Sequence, residues 1–395
     1  MLTMTLALIY YMNFKYGASQ SPELSDTVAR EVRDRDYFYL WSFSAWSVWA
    51  ALGLVYVWET IAALIGSEKV RLGNETLDLP RRRSWLLATP VLALAFIPLF
   101  ANWQSASRAG QTDTADFAAD LLNSVEPYGI LVTAGDNDTF PLWYAQEVEG
   151  IRRDVIVACL SLLNTDWYTR QLLRRPVYEY DSVHGPAIYR GKVWKKPSGP
   201  PVKVTMEQAD AVPPAIELSA PQTFRKEGTD IVATIRPRPL GDYEGLERAD
   251  LFVLYMIRDS YPERPFFFSR TSGGYPEEMG FAPYTVTVGL ARKLVPHVPK
   301  PGNGIVSLGG EWLDTPTTRA LWETVFKAPA SLARRAMWVD RPSAGIPYLY
   351  VRTGLELSAA LVQLGQKQEA ARIRAQTVRI AHATQLDDLV ESVSK

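Results

Sequence analysis

Residues 130–167 read ILVTAGDNDTFPLWYAQEVEGIRRDVIVACLSLLNTDW. Ile130-Leu131-Val132-Thr133 is a short β-favouring run that stops at Gly135, and Val155 to Leu160 is a second, almost wholly apolar run. Unbroken apolarity over that length is the pattern of a strand covered on both faces. Between the two, Pro141 to Val148 has the length of a helix and is preceded by Asp138 and Thr139, which with Pro141 are helix-start signals. A strand-helix-strand crossover makes the strands parallel. The turns Gly135-Asp136-Asn137-Asp138-Thr139 and Asn164-Thr165-Asp166 are therefore expected at one edge of one sheet, where open α/β sheets bind ligands.

Working outward, Thr112 to Val125 carries Phe117, Ala118, Leu121, Leu122 and Val125 at helical spacing, and Trp167 to Leu173 continues as another helix. Prolines then punctuate 176–240, which reads as an insertion of loops and edge strands. Leu246 to Asp259 has helical character and Arg264 to Ser269 that of a strand. If this strand joins the same sheet in parallel, Arg270 and Thr271 approach the Asp136 side. Tyr348 to Leu364 and Lys367 to Ala383 form two amphipathic helices joined at Gly365. They resemble one tetratricopeptide-type pair, and equally a terminal hairpin packed on the domain, since a lone repeat cannot bury a core.

The whole-chain mean hydropathy of −0.09 conceals a segregation. Tyr37 to Trp58 and Ser84 to Ser107 contain no charged residue, and each supplies the roughly 20 apolar residues a spanning helix needs. Pro90 and Pro98 are tolerated in spanning helices. Residues 1–13 are apolar but cover only about 20 Å of a hydrocarbon core of about 30 Å, so they resemble half a span whose remainder lies upstream. The 66–83 connection holds Lys69, Arg71 and the Arg81-Arg82-Arg83 cluster, whereas basic residues in the 14–36 connection are diluted by acids. Positive-inside bias places 66–83 in the cytoplasm and the chain beyond Arg108 outside it. The expected architecture is a membrane-anchored α/β protein. It has a partial span at 1–13, an extracytoplasmic loop at 14–36, spans at 37–65 and 84–107 around the cytoplasmic loop, and an extracytoplasmic α/β domain at 108–342 with a parallel β-α-β core. A helical hairpin at 343–395 closes the chain.

The 395 residues carry a net charge of −1 and no basic block, which excludes a nucleic-acid partner. A single cysteine, Cys159, excludes an intrachain disulfide framework, and its apolar strand context makes it a buried thiol. His184, His297 and His382 stand in unlike contexts and suggest no metal set. No G-x-S-x-G, Walker or dinucleotide fingerprint accompanies the first strand, so hydrolase, NTPase and dehydrogenase readings lack support.

Asp136-Asn137-Asp138 has the D-x-D spacing with which two hard carboxylates on a turn share a divalent metal on a diphosphate. The same residues are good turn and cap formers, as are Asn164-Thr165-Asp166. Arg33 and Arg35 lie among Arg30, Glu31, Asp34 and Asp36 just before a span. These charges either pair on an interfacial helix or present arginines to the phosphate of a lipid-linked donor.

The elements Asn13-Phe14-Lys15, Glu31 to Phe38, GDNDTFPLWYAQEVEG and SLLNTDWYTRQL together resemble the C-terminal part of a bacterial multi-spanning family described as protein O-mannosyltransferase-like. The resemblance runs from about Asn13 to Leu173, more faintly through RPFFFS to Val295. That family is similar to GT-C glycosyltransferases, which take a sugar from a polyprenyl-phosphate donor and use an acidic residue in the first extracytoplasmic loop. The bundle carrying that loop is missing from this sequence. The resemblance therefore implies a portion of an inner-membrane transferase that positions an acceptor polypeptide or glycan. Asp136, Asn137, Asp138 and Asp166 would meet the acceptor or a divalent metal, and Arg33 and Arg35 the lipid phosphate. A non-catalytic membrane-anchored scaffold is the alternative; a nucleotide-sugar enzyme is disfavoured by the expected compartment. A reporter fused after Lys395 that works only outside the cytoplasm is expected to be active, and activity confined to a cytoplasm-restricted reporter would overturn the orientation.

Overall fold

The computed structural model describes residues 39–73, 75–240, 243–335 and 344–394. The 1–13 segment and the 14–36 loop, with Arg33 and Arg35, lie outside the described residues. The chain divides into two compact units after Ala109.

In the first unit, α1 (Leu40–Ile65) is 26 residues long, about 39 Å, and a second helical stretch covers Arg82–Gln104. Both are long and apolar enough to cross a membrane. The connection expected as a loop is an antiparallel hairpin of β1 (Ser67–Leu72) and β2 (Glu75–Pro80). Trp58 meets Trp85 edge-on at 4.4 Å and donates from Nε1 to the Trp85 carbonyl, while Ser84 Oγ donates to the Gly66 carbonyl at 2.8 Å.

The second stretch is α2 (Arg82–Ala88), a 3₁₀ segment at Thr89–Phe96 and α3 (Ile97–Ala106). The prolines explain the change of pitch. Pro90 has no N–H for the Leu86 carbonyl and Pro98 none for the Leu94 carbonyl. The N–H groups of Thr89 and Ile97 take over those two carbonyls with i→i+3 bonds, so neither is abandoned in an apolar setting.

The second unit opens with α4 (Asp113–Asn123), followed by β3 (Ile130–Thr133), α5 (Asp136–Glu147) and β4 (Ile156–Cys159). A short helix α6 (Leu160–Leu163) leads into α7 (Asp166–Arg174). The insertion holds α8 (Met206–Asp210) and five short strands: β5 (Ala215–Glu217), β6 (Gln222–Arg225), β7 (Val232–Ile235), β8 (Arg238–Leu240) and β9 (Tyr243–Glu247). They pair as a β5-β9-β8 sheet and a β6-β7 hairpin. Then come α9 (Arg248–Ser260), β10 (Phe266–Ser269), α10 (Tyr275–Glu278), β11 (Thr285–Val288), β12 (Ala291–Leu294), β13 (Ile305–Leu308) and β14 (Glu311–Asp314). Five helices close the chain: α11 (Thr315–Thr324), α12 (Ala328–Ala333), α13 (Gly345–Gln363), α14 (Lys367–Ala383) and α15 (Asp387–Ser394).

The main sheet has the order β13-β14-β11-β12-β10-β3-β4. β10, β3 and β4 are mutually parallel, in the register Phe267–Leu131–Val157. The expected parallel core is thus present but is part of a mixed sheet, because β12 runs antiparallel to both β10 and β11. The tight β11-β12 hairpin turns at Gly289, whose φ of +58° favours glycine and where a Cβ would lie 2.8 Å from Ser124 Oγ.

Strand alternation divides the core. Leu131, Val157 and Phe267 join Phe117, Leu121 and Leu142 and the C-terminal helices on one face. Ile130, Val132, Ala158, Phe266 and Phe268 join Tyr168, Phe252 and Val253 on the other. The C-terminal helix pair packs on the domain; Gly354 of α13 lets α14 approach so closely that a Cβ would stand 2.1 Å from Thr377 Oγ1. Asp120 of α4, wholly buried, ties this end together. It accepts the N–H groups of Lys327 and Ala328 at the start of α12 and the Tyr350 hydroxyl of α13 at 2.8 Å.

Burial pushes the Asp120 carboxyl up to about 7, against the donated hydrogen bonds that lower it. The folded protein then holds this proton over a range where the unfolded chain has lost it. Its contribution to stability is full below about pH 4 and disappears as pH rises through about 7, with a slope of up to about 1.4 kcal/mol per pH unit. Denaturation across that window should show this slope in the difference between the wild type and Asp120→Asn. A difference independent of pH would refute it.

Candidate functional site

β10, β3 and β4 end side by side at Ser269, Thr133 and Cys159; β10 and β4 run straight into a helical turn, and β3 reaches α5 after Ala134 and Gly135. The Gly135-Asp136-Asn137-Asp138 segment, expected as a turn, is instead the cap and first turn of α5, which starts five residues earlier than Pro141. Pro141 lies inside the helix, so the Asn137 carbonyl loses its helical donor near solvent.

This changes what the acidic pair can do. Residues two apart on a helix point about 200° apart, so Asp136 and Asp138 occupy opposite faces. Asp136 and Asn137 are exposed; Asp138 is buried. Asp138 reaches back to accept the N–H groups of Ala134 and Gly135, both at 2.9 Å, and receives the Thr271 hydroxyl. Thr271 follows β10, so the parallel pairing does bring it to the α5 start, as its place in the sequence suggested. Arg270 turns instead toward α13, where it binds Thr353 and Glu356. Thr133 Oγ1 and Thr139 Oγ1 lie 2.7 Å apart beside this network, and Ser161 Oγ is 3.2 Å from Cys159 Sγ. Two carboxylates on opposite faces cannot share an ion, and among the described residues no three His, Cys, Asp or Glu side chains form a metal-binding group.

Asp166 sits in the first turn of α7, exposed, and pairs with the buried Arg248 guanidinium. Arg248 also donates to the Ala209 carbonyl at 2.8 Å. Asn164 accepts the Ala249 N–H and donates to Glu247, stitching the β4 exit to the start of α9. Both residues thus join elements that the sequence keeps more than 80 positions apart.

A row of rings adjoins the acidic groups. Phe140 contacts Trp143 at 5.5 Å, Trp143 contacts Tyr168 at 5.9 Å, and Tyr168 contacts Trp167 at 5.5 Å. Phe140, Tyr144 and Trp167 remain about half exposed, at 50%, 50% and 52%. Tyr168 is buried beneath them; its hydroxyl donates to the Val157 carbonyl at 2.8 Å and accepts the Cys159 N–H at 3.0 Å, clipping the free edge of β4. Burial pushes this phenol well above its ordinary pKa. Helical phasing of FPLWYAQ could have exposed the row: Leu142, Ala145 and Gln146 face inward, leaving Phe140 and Tyr144 outside.

The molecule therefore belongs to the class of α/β domains preceded by helices of membrane-crossing length. A family model described as TMEM260-associated domain 2 matches residues 114–198, from α4 through the ring-bearing helices and into the insertion. No curated protein and no solved structure matches the chain.

Asp138→Ala should destabilise the fold by about 2 kcal/mol, because it strands two N–H groups and the Thr271 hydroxyl. Asp136→Ala should cost less than about 1 kcal/mol, the worth of an exposed charge at a helix start. Equal losses in chemical denaturation would contradict the opposite-face assignment.

Proposed function

We propose that this chain is the C-terminal portion of an integral-membrane, glycosyltransferase-like protein of the bacterial inner membrane, with its α/β domain outside the cytoplasm. Sugar passes from a polyprenyl-phosphate donor to an extracytoplasmic polypeptide or glycan. This portion positions the acceptor. The observation that carries the reading is the ring row Phe140–Trp143–Tyr168–Trp167, whose outer members Phe140 and Trp167 are half exposed above the buried Tyr168, beside exposed Asp136 and Asn137 and inside the segment that matches the TMEM260-associated model. The TMEM260 family is itself protein O-mannosyltransferase-like. Aromatic faces accept the C–H face of a sugar or an apolar peptide side chain, while a carboxylate and an amide beside them hold hydroxyl or peptide N–H groups. Asp138 and Asp166 act one step back, Asp138 by setting the start of α5 and Asp166 by anchoring α7 through Arg248. Arg33 and Arg35 are assigned to the donor's lipid phosphate.

A second reading, a non-catalytic membrane-anchored binding protein, is favoured by Val148 at the far end of the α5 face, which is 69% exposed and makes the patch more apolar than a sugar requires. One experiment separates the two. Phe140→Ala with Trp167→Ala, and separately Asp136→Ala with Asn137→Ala, should reduce glycan transfer in cells at least tenfold while folded protein stays in the membrane. Unchanged glycosylation would remove this edge from the transfer reaction.

A further inference from the structure

A cavity of about 570 Å³ opens at the other end of β4, where the α5-β4 connection meets α4, the start of α12 and the irregular chain around residues 178–185. Its volume is that of a small-molecule site. The base of this cavity is rigid. Arg152, held at a φ of +49°, makes a bidentate pair with Asp154 at 2.9 and 3.0 Å and donates to the Leu122 and Val125 carbonyls at the end of α4. The guanidinium lies under the rings of Tyr180 and Tyr189, and both members of the pair are buried. Gln146 donates to the Arg152 and Val155 carbonyls, each at 2.8 Å, so the connection that carries Glu149 is pinned at both ends.

One side of the rim is also preset. Asp181 accepts the Val183 and His184 N–H groups and the His184 imidazole, which hold its carboxyl down at about 2. The Arg153 guanidinium lies 4.0 Å from the centre of the Tyr178 ring and reaches Glu147. Other lining groups are left to a ligand: the Glu149 carboxylate, the Lys327 ammonium and the Asn123 amide have no side-chain bond to protein among the described residues. Glu179 adds a second carboxylate, bound only to the exposed Lys196.

We propose that this cavity binds a neutral polyhydroxylated ligand, one or two sugar rings of a glycan. The lining excludes other classes. Arg152 is paired with Asp154, and Arg153 is bonded to Glu147 with its buried Nε left open, so an anion would meet two carboxylates with Lys327 as the one unpaired cation among the described lining residues. An apolar ligand would strand charges of both signs. A sugar hydroxyl donates and accepts at once, so it can bridge Glu149 or Glu179 to Lys327 or Asn123 without bringing a charge of its own. The cavity lies at the amino end of β4, whereas the aromatic row lies beyond its carboxyl end. The two sites are therefore separable, and the proposal stands whether or not that row holds an acceptor.

The test uses the full chain in a non-glycosidic detergent, carrying Phe140→Ala and Trp167→Ala to silence the aromatic edge. Saturation-transfer NMR is recorded with the methyl glycosides of glucose, mannose and galactose, and with glycylglycine as a zwitterionic competitor class. At least one glycoside should bind with a Kd of about 1 mM. Adding Glu149→Ala should weaken it at least tenfold, and so should adding Lys327→Ala alone. Near-UV circular dichroism should be unchanged in both, because the two side chains are exposed. Absence of glycoside binding, binding that survives both substitutions, or a response to glycylglycine alone would overturn the assignment. Loss of glycan transfer in the edge variants with glycoside binding retained would separate this site from the acceptor surface.

Discussion

Three neighbouring strands must be covered on both faces, and most of the α/β domain follows from meeting that demand. In register across β10, β3 and β4, Phe267, Leu131 and Val157 turn to one face while Phe268, Val132 and Ala158 turn to the other. Neither face can be left to water at roughly 25 cal/mol per Å² of apolar surface. α4, α5 and the C-terminal helices supply one cover, and α7, α9 and the β6-β7 hairpin the other. The C-terminal hairpin is consequently a structural layer of the domain. Its close approach at Gly354 and the buried Asp120 network are the means of attachment.

The same two-sided burial dictates where chemistry can appear. Strand ends and helix starts are places where polar groups leave the covered sheet, and both candidate sites lie at ends of β4. At the carboxyl end the backbone enters α5 two residues after β3, and the first helical turn sorts its acids by phase: Asp138 inward as a cap, Asp136 outward. At the opposite end of β4 the chain must turn back from α5, and the Arg152–Asp154 pair satisfies the backbone groups that this turn and the end of α4 leave open. A buried ion pair of this kind is costly to desolvate, and its bidentate geometry with three further hydrogen bonds offsets the cost. One consequence is a firm floor beneath a polar cavity.

Much of this was legible in the chain. The runs at 130–133 and 155–160, the helix-spaced residues of 112–125 and the paired helices around Gly365 were recognisable from periodicity and terminators, as were the two long apolar stretches. Thr271 was placed near the α5 start by its position after a strand-like run. The block of β11 to β14, two antiparallel hairpins joined by a parallel β11-β14 contact, was not legible, because four-residue strands carry too little alternation to be read, and the β11-β12 pairing depends on the turn at Gly289 rather than on strand pattern. The start of α5 was misplaced for a related reason: Pro141 signals a helix beginning, yet here α5 accommodates it in its interior.

Local order was sufficient for the class of the protein, since a strand's period of two, a helix's 3.6 and the length of an apolar run are properties of neighbouring residues. It was insufficient for the role of any one acid. Asp136, Asp138 and Asp166 look alike in sequence, and each was sorted by a distant partner or by solvent: Thr271 and two strand-exit N–H groups for Asp138, Arg248 for Asp166, water for Asp136. The cavity shares that dependence, because Asn123, Glu149, Glu179 and Lys327 converge only through the packing of α4 and α12 against the β4 entry. Burial and long-range pairing set the availability of a side chain, and both are created by contacts between segments that the linear order keeps apart.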